Sequence, residues 1–87
     1  MYSVVFTKKA ADDVANLKAA GLASKAKALI DLMKQNPFTN PPPYEKLKGD
    51  LDGAYSRRIN IKHRLVYQVY EATKTIKVIS MWTHYEF

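Results

Sequence analysis

Eighty-seven residues, nearly half of them apolar and about a quarter charged, suit one folded domain near the lower limit of what a single core can hold without staples. The absence of cysteine excludes disulfides, thiolate metal sites and a cysteine nucleophile. Fourteen Lys and Arg against eight Asp and Glu leave a net charge of +6, which favours a polyanionic partner, nucleic acid first and an acidic protein second, unless the excess serves solubility alone.

Met1-Tyr2-Ser3-Val4-Val5-Phe6-Thr7-Lys8-Lys9 opens the chain with its charges after the apolar run, the reverse of a secretory signal, and no stretch has the length of a membrane span. The expected location is the cytoplasm, without a membrane partner. Residues 2 to 6 are β-branched and aromatic and predict a strand. Thr7 then offers a helix N-cap, with Ala10, Val14 and Leu17 at i, i+4 and i+7 and with Asp12 and Asp13 expected in the first turn, where the helix dipole favours acids. That helix ends near Ala20-Gly21. A second carries Leu22, Ala26, Leu29, Ile30 and Met33 on one stripe, presents Lys25, Lys27 and Lys34 elsewhere, and stops at Asn36-Pro37.

From Pro37 to Pro43 fixed φ angles and missing N–H donors exclude helix and interior strand, leaving a stiff connector. Three strand-like runs follow: Ala54 to Asn60; His63 to Tyr70, with Leu65, Tyr67 and Val69 on one face; and Thr75 to Trp82, with Ile76, Val78 and Ser80 alternating. Short loops between them imply an antiparallel meander. The order is βααβββ, an α+β domain over residues 1–87 in which a helical hairpin packs on one face of a mostly antiparallel sheet and leaves the other face for a ligand.

Two histidines, His63 and His84, have no acidic neighbour at zinc-site spacing, and the glycines at 21, 49 and 53 form no phosphate loop, so neither metal nor nucleotide cofactor is expected. Arg57-Arg58 and Lys62-His63-Arg64 stand in a stretch with no acid between positions 53 and 70. This basic surface is either an RNA contact or a sheet edge kept charged against aggregation. On a strand Arg57, Ile59 and Ile61 point one way and Arg58, Asn60 and Lys62 the other, so only part of the set can share a face. Glu45, beside Lys46 and Lys48 at the end of the proline run, reads as a surface ion pair or as a base. The closing Met81-Trp82-Thr83-His84-Tyr85-Glu86-Phe87 gathers an imidazole, a phenol and further rings, which suit stacking of unpaired bases unless Trp82 and Phe87 simply cap the core.

Tyr44-Glu45-Lys46-Leu47-Lys48, Leu51-Asp52-Gly53-Ala54-Tyr55-Ser56-Arg57-Arg58-Ile59, His63-Arg64-Leu65-Val66-Tyr67 and the closing His84-Tyr85 together make the chain resemble the YoeB/Txe branch of RelE-type toxins over essentially its whole length. The resemblance implies the RelE-like fold and a ribosome-dependent endoribonuclease that cuts messenger RNA in the decoding site. A YefM/Axe-like antitoxin would neutralise it, with room for operator DNA as a partner through the antitoxin complex and for a homodimer. By the same resemblance Glu45 is the general base on a ribose 2′-OH, His84 the general acid on the leaving 5′ oxygen, Arg64 the cation that stabilises the phosphorane, and Tyr85 the group that holds the substrate. Lys48, Arg57 and Arg58 are the expected phosphate contacts. A general base, a general acid and cations are what in-line attack by a 2′-OH asks for, and none of these steps calls for a metal.

Two departures stand out: Glu86-Phe87 extends past His84-Tyr85, and Ile61-Lys62 precedes His63 where the closest relatives are expected to be acidic. A carboxylate beside Tyr85 either repels RNA or favours the imidazolium of His84. The competing class is a non-catalytic gyrase poison of the ParE type on the same fold, disfavoured by the Glu, Arg and terminal His-Tyr set.

Overall fold

The computed structural model describes residues 1–83, with Thr83 described by its backbone alone. Strand β1 (Ser3–Phe6) leads into helix α1 (Lys8–Ala19), helix α2 (Ala23–Gln35) and strands β2 (Tyr44–Lys46), β3 (Tyr55–Arg58), β4 (Arg64–Tyr70) and β5 (Thr75–Thr83). The sheet runs β1-β5-β4-β3-β2, with β1 parallel to β5 and every other pair antiparallel. The expected α+β arrangement therefore holds, with one strand more than the sequence indicates. That strand, β2, is three residues long and follows directly on Pro43, too short for alternation to register and masked by the prolines before it.

Thr7 caps α1 as expected: its Oγ1 accepts from Ala10 N at 3.1 Å, and its hydroxyl donates to Ile79 O at 2.7 Å, tying the helix start to β5. Gly21 takes φ +73, the left-handed conformation that lets α1 stop and the chain reverse into α2. The stripes of both helices then meet the sheet. Ala10, Leu17, Ala26 and Met33 are buried with Leu65, Tyr67, Ile76, Val78 and Met81, and Val14, Leu22, Leu29, Ile30 and Val69 pack against them.

Asp13 departs from expectation. Helix α1 begins at Lys8, so positions 12 and 13 both lie beyond the first turn; position 13 falls on the core-facing side between Ala10 and Leu17, and Asp13 is buried. Its Oδ2 accepts from Met81 N at 2.9 Å and Trp82 N at 3.2 Å, while Lys9 Nζ stands 2.7 Å from Oδ1. Strand β1 ends opposite Val78, so this stretch of β5 has no β1 partner; the Asp13 carboxylate takes its place. Removing it leaves two inward N–H groups without an acceptor. Asp13→Ala is expected to lower stability by about 2–4 kcal/mol, read as a lower urea midpoint at unchanged slope.

The expected Ile76, Val78, Ser80 alternation also breaks. Tyr67 pairs with Val78 but Val66 with Ser80, so β5 carries an extra residue at Ile79 and a second register shift before Thr83, which pairs with Arg64. Met81, not Ser80, therefore joins the helix-facing core, and Ser80 is buried opposite Val66 on the other side. That other side is partly covered by a small cluster of Leu47, Ala54 and Val66 with Leu51 and Ile79. Strand β3 stops at Arg58, two residues short of expectation, because Asn60 Oδ1 accepts the amides of Lys62 and His63 and closes the turn into β4. Among the described residues no helix is long and apolar enough to cross a membrane.

Candidate catalytic face

Register decides which side chains meet. Strand β2 pairs Tyr44 with Arg57, Glu45 with Ser56 and Lys46 with Tyr55; β3 pairs Ser56 with Val66, Arg57 with Leu65 and Arg58 with Arg64. Alternation sends Tyr44, Tyr55, Arg57, Leu65 and Tyr67 toward the helices and Glu45, Ser56, Arg58, Arg64 and Val66 to the opposite face. On that opposite face a concavity of about 220 Å³ is lined by Pro43, Glu45, Ser56, Arg58 and Arg64.

Arg64 lies deepest among its charged groups, with a side chain 12% exposed, while Glu45 is 49% exposed. Arg64 Nη1 stands 3.5 Å from Glu45 Oε1 and donates to Ser56 Oγ at 3.4 Å. The carboxylate is thus an ion pair and also open to solvent, so neither of the two readings left by the sequence displaces the other. Two guanidinium-bearing positions directly opposite each other, Arg58 and Arg64, repel unless an anion lies between them. Ser56, wholly buried beneath this face, is a member that sequence reasoning missed. The available signal was its even position in the run from Tyr55 to Arg58.

The remaining expected residues divide. Lys48 is exposed just past β2, outside the lining of the concavity. His84 and Tyr85 lie outside the described residues; β5 delivers the chain as far as Thr83, opposite Arg64. Trp82 has one ring face stacked on His63, with centroids 3.7 Å apart and planes 13° from parallel, and packs against the core. The described residues contain no group of three or more His, Asp or Glu that could hold a metal.

Arg57 is corrected outright. Expected on phosphate, it is 1% exposed on the helix-facing side, because its odd position in β3 places it in register with the core residue Leu65. Its Nη1 donates to Pro42 O at 2.6 Å and its Nη2 to Pro37 O at 3.0 Å and Thr39 O at 2.8 Å. The rings of Tyr44 and Tyr67 lie 5.0 and 6.0 Å from its Cζ, and the Tyr67 hydroxyl donates to Pro37 O at 2.9 Å.

Burial pushes the Tyr67 phenol above its ordinary range, and the charge and hydrogen bonding of Arg57 pull it only part of the way back. Because the folded value is raised, this group's share of stability is whole below about pH 10 and is lost as pH climbs through the folded value. Tyr67→Phe is expected to cost about 0.5–1.5 kcal/mol at neutral pH and to flatten the alkaline decline in denaturant midpoint.

The family described as YoeB-like toxin of bacterial type II toxin-antitoxin system matches residues 6–85. Toxin YoeB of Synechocystis sp. is 38% identical over 65 residues, covering 75% of this chain and 73% of that protein. A YoeB/ParE toxin from Agrobacterium tumefaciens superposes with a TM-score of 0.85 at 35% identity, covering 95% of this chain and 99% of the other. The toxin of a YoeB-YefM complex from Staphylococcus aureus gives 0.80 at 33% identity, with 98% and 99% covered. Sequence match and superposition thus agree on proteins of one kind, with the same sheet and helical hairpin: the chain belongs to the YoeB-like toxins of bacterial type II toxin–antitoxin systems.

Proposed function

We propose that this chain is a ribosome-dependent endoribonuclease that cuts messenger RNA in the ribosomal decoding site, acting in the cytoplasm. The observation that carries the reading is the solvent-open Glu45 carboxylate 3.5 Å from the recessed Arg64, with Arg58 opposite Arg64 on the same face. Glu45 takes the proton of a ribose 2′-OH, and the oxygen attacks the adjacent phosphorus in line. Arg64 and Arg58 offset the charge of the phosphorane, and Lys48 adds a phosphate contact further along the messenger. His84 gives its proton to the departing 5′ oxygen, leaving a 2′,3′-cyclic phosphate and a 5′-hydroxyl, while Tyr85 holds the nucleotide at the scissile step.

The Staphylococcus aureus relatives include a toxin in complex with YefM and a toxin dimer. On that basis we assign this chain a YefM/Axe-like antitoxin, whose acidic segment would fold over the basic face, and a capacity to dimerise. Operator DNA enters only through that complex. Primer extension on a messenger programmed into bacterial ribosomes tests the activity. New ends are expected that require both the ribosome and His84, vanishing in His84→Ala. Gyrase inhibition with ribosome-bound messenger left intact would overturn the reading in favour of a ParE-like poison.

A further inference from the structure

Arg57 performs none of the steps above, yet it is the most completely enclosed cation described. Burying a guanidinium is unfavourable unless its donors are satisfied, and an apolar side chain of similar volume fills such a space with less penalty. What a planar fork adds is direction, since donors at fixed angles fix the position of the acceptors they reach. Here the acceptors are three main-chain carbonyls, of Pro37, Thr39 and Pro42.

The segment they belong to is poorly able to hold itself. Pro41, Pro42 and Pro43 have no N–H to donate to a ladder, so their carbonyls are the handles the backbone offers. The same segment runs straight into β2, a three-residue edge strand that is marginal alone. Arg57 grips this junction twice: its side chain holds Pro42 O, and its backbone lies in register with Tyr44, the residue before Glu45. One residue further along both strands, Glu45 stands opposite Ser56, whose hydroxyl accepts from Arg64.

We infer that Arg57 is a positioning residue for Glu45: by clamping the proline segment it sets the seat of β2 and with it the approach of the Glu45 carboxylate to Arg64. The inference rests on Glu45 acting in the proposed cleavage, and it makes Arg57 matter to the reaction from the side of the sheet that substrate does not touch.

The test compares the full chain with Arg57→Met, which keeps the volume, and Arg57→Lys, which keeps the charge without the fork. Amide exchange of β2 is expected to quicken at least tenfold in Arg57→Met while β4 and β5 keep their protection. Cleavage at saturating ribosome concentration should fall at least tenfold with half-saturation unchanged, and Arg57→Lys should recover part of both. Wild-type exchange in β2, or a cleavage loss that merely tracks protection lost across β4 and β5, overturns the inference. Should Arg57→Met fail to fold, the same two readouts on Arg57→Lys decide. A wild-type chain that does not cut ribosome-bound messenger refutes the nuclease reading instead, and the exchange comparison still decides whether Arg57 seats β2.

Discussion

Arg64→Ala is expected to lower messenger cleavage on programmed ribosomes by about 10²–10³-fold, the usual loss when one preorganised donor is taken from a developing oxyanion. The side chain is already aimed before substrate arrives: at 12% exposure, with Ser56 and Glu45 as neighbours, it is largely stripped of water and held in one direction. Preorganisation of this kind adds most in the transition state, where charge on the phosphorus-bound oxygens is greatest. Single-turnover rates at saturating ribosome should therefore carry the loss, with little change in half-saturation. Arg64→Lys keeps a charge but not the fork and should fall between the two. The fold should tolerate the change, because the ion pair with Glu45 is half exposed on the carboxylate side and such pairs contribute under about 1 kcal/mol. A folded Arg64→Ala chain that cuts at the wild-type rate removes Arg64 from the mechanism.

The contrast between Arg57 and Arg58 shows what a sequence can reveal of such a site. Alternation states that the two arginines part company, but it does not say which of them faces the core; that follows only from the pairing of β3 with β4, where Arg57 falls opposite Leu65 and Arg58 opposite Arg64. Helices α1 and α2 were legible because their apolar stripes are long and their boundaries are marked by Thr7, Gly21 and Asn36. Strand β2, which carries Glu45, was not, since its three residues gain strand geometry from β3 rather than from their own preference. The role of Asp13 is hidden for a related reason: a carboxylate near a helix start has an ordinary explanation in the dipole, and only the missing β1 partner along Met81 and Trp82 supplies the other. The roles proposed for Glu45 and Arg64 come from the resemblance, because the residues by themselves favour a surface ion pair over a base.

Glu45→Gln separates those two roles. As general base, the carboxylate contributes typically 10²–10⁴-fold, so the glutamine variant is expected to lose about that factor in the cleavage step. As the ion-pair partner of Arg64, at 3.5 Å, the same carboxylate competes with substrate phosphate for the guanidinium. Its neutralisation should therefore leave ribosome half-saturation unchanged or lower it, while the rate at saturation collapses. This signature, weaker catalysis without weaker binding, belongs to a group that acts on the reacting atoms. A Glu45 that served only to hold Arg64 in place would behave differently: its loss would mimic a mild Arg64 defect, and Glu45→Gln combined with Arg64→Ala would cut no more slowly than Arg64→Ala alone. If Glu45 is the base, the double variant should fall below either single one, to the limit set by whatever His84 and binding still supply. Measured as single-turnover rates on one programmed messenger, the four chains of this cycle distinguish a base from a brace, and a wild-type rate in folded Glu45→Gln excludes the base.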